Sequence, residues 1–95
     1  MKIYLSGAIT GTDDYMDRFR NAQRKLEEHG HTVINPAEVN SRLPEDTTYE
    51  QYMRVCMVLL DMAEGIYMLD GWKKSCGANR ELGYALAKDM VVVYE

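Results

Sequence analysis

Apolar residues in this chain fall into short unbroken runs and longer periodic stretches, and the two kinds alternate. Lys2 to Ser6 is a short apolar run that stops at Gly7 and reads as a first strand. The segment Gly7-Ala8-Ile9-Thr10-Gly11 reads as a loop through its glycines. Tyr15, Phe19, Ala22 and Leu26 then recur at helical spacing, with Arg18, Arg20, Arg24, Lys25, Glu27 and Glu28 filling the other side. Thr12 or Asp13 is expected to cap this helix, because either side chain can accept from the free amides of the first turn. Gly30 stands where a left-handed terminating residue belongs.

His31-Thr32-Val33-Ile34 predicts a second strand, halted by Asn35-Pro36. Ala37 to Asp46 has loop composition, with a helical turn over Glu38 to Ser41. A second long helix is expected from Thr47 or Thr48 to about Met62. Gly65 to Leu69 reads as a third strand, Asp70 to Ser75 as a loop, and a further helix begins near Cys76-Gly77. In that helix Ala78, Leu82, Ala85 and Leu86 are expected to point inward. Met90 to Tyr94 is the last strand. Strand runs without polar alternation, separated by helices, indicate a parallel sheet covered on both faces. Right-handed crossovers then give an α/β, three-layer, doubly wound fold of flavodoxin/Rossmann type, and 2-1-3-4 is the strand order expected.

The middle of the second long helix, Val55 to Leu60, is apolar on every side. A helix covering one face of a sheet should keep a wet face. A second copy packed there, making a homodimer or larger homo-oligomer, is the expected cover. Met53, Met57 and Met62 read as adaptable packing in the same region.

Totals narrow the function. With 95 residues the chain is expected to be one domain spanning residues 1–95. Lys and Arg number 11 against 15 Asp and Glu, a net charge of −4. That argues against duplex nucleic acid as a partner, which needs a basic face to meet phosphates. No apolar run reaches membrane-spanning length, and the run after Met1 is too short for a signal peptide, so a cytoplasmic location is expected. Cys56 and Cys76 have no metal-ligand spacing and form no disulfide framework. No cofactor is expected: the Gly-Lys-Ser/Thr phosphate loop and the Gly-x-Gly-x-x-Gly fingerprint are both missing.

Open α/β sheets bind ligands outside the carboxyl ends of their strands, where strand order reverses. For order 2-1-3-4 that point lies between the first and third strands, where Gly7 to Gly11 and Asp70 to Ser75 converge. Next to it stands Ser75-Cys76-Gly77-Ala78-Asn79-Arg80-Glu81. A helix start offers free amides and a partial positive charge, and Gly77 would admit a ligand close to the backbone. Glu81 flanks the inward stripe one turn on; its plain alternative is a solvated first-turn glutamate. Each other candidate has a structural alternative too. Tyr4 makes a good core residue, and Ser6 and Thr10 can satisfy loop backbone. Trp72 is either a local anchor or an aromatic wall, and Asn35 before Pro36 is a turn residue. His29 and His31 are expected to be exposed.

Lys2-Ile3-Tyr4-Leu5-Ser6-Gly7-Ala8-Ile9-Thr10-Gly11 resembles the first strand and loop of the nucleoside 2-deoxyribosyltransferase-like superfamily. Ser75-x-Gly77-Ala78-x-x-Glu81 looks like the superfamily's catalytic helix start, and Asn35-Pro36 and the final Val-Val-Tyr strand fit the same pattern. Its small members, related to the 2′-deoxynucleoside 5′-phosphate N-hydrolases, look nearest. The resemblance implies an N-glycosidic hydrolase or deoxyribosyltransferase acting on a small nucleoside or nucleotide, with Glu81 attacking the anomeric carbon. It places Tyr4 beside that glutamate, Ser75 at a 5′-phosphate and Gly7 beside the ligand, and suggests that a neighbouring subunit completes the pocket. Ser6, Thr10, Asp70, Trp72 and Gly77 are the further substrate-binding candidates. Two departures stand out. The superfamily's helix aspartate, eight residues before the acid that precedes the third strand, falls at Cys56. Ala8 and Thr10 occupy the loop positions where the phosphate-preferring enzymes carry serine and arginine. These departures keep two alternatives open: a catalytically weak nucleotide-binding protein, and an interaction module with a vestigial pocket.

Overall fold

The computed structural model describes residues 1–95. Four strands, β1 (Lys2–Ser6), β2 (Thr32–Ile34), β3 (Gly65–Met68) and β4 (Val91–Tyr94), form one sheet. All neighbouring pairs are parallel, as the pattern indicates, and the order is β2-β1-β3-β4, as expected. The connections are α1 (Tyr15–Glu28), α2 (Pro36–Asn40), α3 (Tyr49–Asp61) and α4 (Cys76–Ala87), with a 3-10 turn at Trp72–Lys74. No helix is long and apolar enough to cross a membrane.

Successive strand residues face opposite sides, so β1 splits its side chains between two cores. Ile3 and Leu5 join Tyr67 and Leu69 under Phe19 and Ala22 of α1. Tyr4 joins Ile66 and Met68 under Cys56 and Leu60 of α3 and Ala78, Leu82 and Ala85 of α4. The sheet is therefore the middle of three layers.

Local signals explain the helix ends. Thr48 makes a full capping box with Gln51 at the start of α3. Asn35 caps α2 by accepting from the amides of Ala37 and Glu38, with Pro36 at the first helical position. Gly30 adopts φ +88 after α1.

Three expectations about individual residues need correction. The cap of α1 is neither Thr12 nor Asp13: Asp14 occupies that position without a side-chain cap hydrogen bond, and the Thr12 hydroxyl donates instead to the carbonyl of Ile9. Leu86 does not point inward but is 58% exposed. It lies one residue, about 100°, past Ala85 and so leaves the inward stripe. The outer side of the apolar helix, α3, leaves Val58 64% exposed and Met62 55% exposed. His29 is exposed, whereas His31 is half-buried.

Candidate active site

Tyr4 and Ser6 lie two residues apart on β1 and so share the face that α4 covers. Glu81 comes down onto them from the second turn of α4. That turn is fixed locally: Ser75 caps α4 by accepting from the Ala78 amide at 3.1 Å. Asn79 reaches back and donates to the carbonyls of Ser75 at 2.8 Å, Lys73 at 3.1 Å and Trp72 at 3.4 Å. The 3-10 turn is thereby tied to the helix that carries Glu81.

Glu81 is 6% exposed, which rules out the solvated first-turn reading. The Tyr4 hydroxyl donates to Oε2. The Ser6 hydroxyl donates to Oε1 at 2.7 Å. Each carboxylate oxygen is thus held by a donor from β1, and the Cys56 thiol lies against both Glu81 and Tyr4. Tyr4 is fully buried and Ser6 nearly so.

Burial pushes the Glu81 carboxyl above the ordinary carboxylate range, while the Ser6, Tyr4 and Cys56 donors and the Arg80 charge pull the other way. Burial also raises the Cys56 thiol, with Asn40 opposing. The Tyr4 phenol is raised well above its usual value, first by burial and then by the charge on Glu81. Tyr4 and Cys56 therefore keep their protons at neutral pH, as donors to a carboxylate must.

The structure thus brings three candidates together: Tyr4, Ser6 and Glu81. The others lie around the strand ends and make no hydrogen bond to Glu81. Gly7 is buried, and a Cβ there would meet Leu69 Cβ at 3.1 Å, so it admits a close approach of β1 to the β3 end. The space above Gly77 is filled from α3, with Met53 Sδ at 3.3 Å and the Tyr49 hydroxyl at 3.5 Å from a built Cβ. Thr10 is exposed in its turn. Asp70 is exposed, and its amide donates to Glu95 Oε1 at 2.8 Å. Trp72 stands 5.9 Å from the Tyr94 ring, centroid to centroid. A cavity of about 470 Å³ opens between them at the ends of β3 and β4, lined also by Met68, Asp70, Lys73 and Glu95. In parallel register Ser6 faces Met68, and Met68 faces Tyr94. The cavity therefore begins one strand spacing, about 5 Å, across the sheet from Ser6 and extends to β4.

Two residues near the site carried no readable signal. Arg18 of α1 donates to the Ala8 carbonyl at 3.2 Å and the Asp70 carbonyl at 3.4 Å, joining the two strand-end loops. Asn40, the last residue of α2, donates to Cys56 Sγ at 3.3 Å. Both contacts are long-range, and periodicity says nothing about them.

Comparison with known proteins agrees with the fold. Among solved structures the chain is similar to the 2-deoxyribosyltransferase of the psychrotolerant bacterium Bacillus psychrosaccharolyticus. The TM-score is 0.79 at 21% identity, over 99% of this chain and 71% of that one. At such identity the likeness speaks for the fold alone. No curated protein matches. Residues 1–94 match the family described as Domain of unknown function (DUF4406), and the chain belongs to that family.

Proposed function

We propose that this member of the family cleaves or transfers the N-glycosidic bond of a small deoxynucleoside or nucleotide, with Glu81 as nucleophile. The observation that carries the reading is the Glu81 carboxylate. It is buried, with each oxygen held by a donor from β1, below the carboxyl ends of parallel strands. Burying a carboxylate is costly, and a structural role would be met as well by an apolar side chain. Placement outside strand ends at a switch point is where this fold class binds ligands.

In the proposed reaction a Glu81 oxygen attacks the anomeric carbon as the carbon–nitrogen bond breaks and its electron pair leaves with the base. Positive character on the sugar is greatest midway, where the adjacent carboxylate stabilises it. Water, or a second base in transfer, then attacks the same carbon and frees Glu81. Tyr4 and Ser6 hold the carboxylate in one orientation and offset part of the pull of burial on its charge. Ser75 and the loops from Gly7 to Thr10 and from Asp70 to Trp72 surround the sugar and its 5′ end. Release of free base from a panel of deoxynucleosides and their 5′-monophosphates tests this, with Glu81→Ala as control. Failure of every substrate at high protein concentration, with the fold intact, would sink the enzyme reading.

One observation favours a second reading, a nucleotide-binding protein without turnover. Where the resemblance expects an aspartate, Cys56 carries a thiol that burial holds neutral, and a neutral thiol is a poor proton carrier for a leaving base. A thermal-shift screen with the same panel separates the two: stabilisation without base release supports binding alone.

A further inference from the structure

We infer that Asn40 is a specificity-determining residue of the Glu81 site, its side-chain oxygen accepting a hydrogen bond from an N–H group on the ligand's base. This deepens the nucleoside reading above and rests on it.

Three side-chain atoms are buried without a hydrogen-bond partner: Arg18 Nε, His31 Nδ1 and Asn40 Oδ1. Arg18 Nε has the Asp14 carboxylate at 3.6 Å. His31 precedes β2, at the end of the sheet opposite the strand-end loops. Asn40 follows β2, on the loop side, and its carboxamide belongs to the site's own network. Nδ2 donates to Cys56 Sγ at 3.3 Å, and Cys56 lies against Tyr4 and Glu81. The unpaired oxygen is thus one side chain removed from the carboxylate. A carboxamide oxygen accepts up to two hydrogen bonds, and burying it with none is unfavourable unless something bound supplies the donor.

The base is bonded to the carbon that Glu81 attacks and leaves from the face away from the carboxylate; in this inference its edge meets the Asn40 side of the site. Because Nδ2 is engaged by the thiol, Asn40 cannot read a base in bidentate fashion. It offers an acceptor only. Such a site favours bases that present an exocyclic amino group or a ring N–H, and rejects those in which that donor is deleted or methylated, because the buried oxygen is then left unpaired.

Calorimetric titration tests this on matched pairs: 2′-deoxyadenosine against the 2′-deoxyribosyl purine that lacks the amino group, and thymidine against its N3-methyl derivative. A Glu81→Gln background prevents consumption. With Asn40 in place, loss of the donor is expected to weaken at least one pair about tenfold. With Asn40→Ala that preference falls below about twofold, and Asn40→Asp, which keeps the acceptor, retains it. Circular-dichroism melts confirm that each variant is folded, and the aspartate variant keeps the test decisive if alanine disturbs Cys56. Equal preference in the presence and absence of Asn40, or none in its presence, overturns the inference and leaves the nucleoside reading standing. If no member of the panel binds the folded protein, the nucleoside reading fails and the inference falls with it.

Discussion

Replacing Ser6 by alanine removes one of the two donors from β1 that hold Glu81, and its cost should depend on pH. The Ser6 hydroxyl and the Glu81 carboxylate are both buried, and the bond between them is 2.7 Å long. A hydrogen bond to a charged group contributes about 1.5–3 kcal/mol, and one between neutral groups about 0.5–1.5 kcal/mol. Burial raises the Glu81 carboxyl in the folded state, so its favourable contribution is complete at low pH and is lost as pH rises through that raised value. Ser6 opposes that loss, since among the donors its hydrogen bond lowers the carboxyl most. Ser6→Ala should therefore cost about 1 kcal/mol in acid, where the carboxyl is protonated, and about 2 kcal/mol once it is ionised. For a domain of this size each kcal/mol is worth about 4–8 °C in Tm. The extra loss corresponds to a further rise of the folded-state carboxyl. The assay is urea unfolding of both proteins over a series of pH values from about 4 to about 9, taking the difference at each. A gap that widens with pH supports the argument. A constant gap, or one larger in acid, would refute it.

Two other substitutions probe the same logic. Glu81→Gln removes the charge but keeps the shape, so at neutral pH the variant should be more stable by about 1 kcal/mol while losing all turnover; thermal melts check the sign, which should fade in acid, and lower stability at every pH would contradict it. Gly7→Ala sets a Cβ 3.1 Å from Leu69 Cβ, on rigid strand-end backbone, and should cost about 1–2 kcal/mol by overpacking, read as a lower urea midpoint with unchanged slope.

Much of the fold was readable because parallel strands buried on both faces leave a plain mark. Ile3-Tyr4-Leu5 and Ile66-Tyr67-Met68 lack polar alternation, and only a covered sheet tolerates that. Crossover handedness fixes which face each helix covers but not the strand order, which was assumed as 2-1-3-4 and matches the sheet. The start of α3 was readable from the cap chemistry of Thr48, but α1 was misread, where Asp14 holds the cap position without a capping bond, and so was α2, where Asn35 caps a helix that starts at Pro36 rather than Glu38. Leu86 was misplaced because apolar character alone does not say where an inward stripe ends.

The site divides in the same way. Glu81 stood out by its place at a helix start, and Tyr4 and Ser6 share a face because they are two residues apart on a strand. What held them in common, donation to one buried carboxylate, depends on α4 crossing β1, and no local pattern encodes that. Arg18 joining two loops and Asn40 reaching Cys56 are of the same kind. Both are polar side chains on helices whose sequence partners looked merely solvated or irregular.

The central claim is that Glu81 bonds to the sugar. Intact-protein mass spectrometry with a 2-deoxy-2-fluoro nucleoside tests it most directly, since the fluorine slows breakdown of a glycosyl-enzyme ester. A mass increase of one glycosyl unit, mapped to the peptide containing Glu81 and missing in Glu81→Gln, is the expected result. Base release with no adduct on Glu81, or at an undiminished rate in Glu81→Gln, would contradict it.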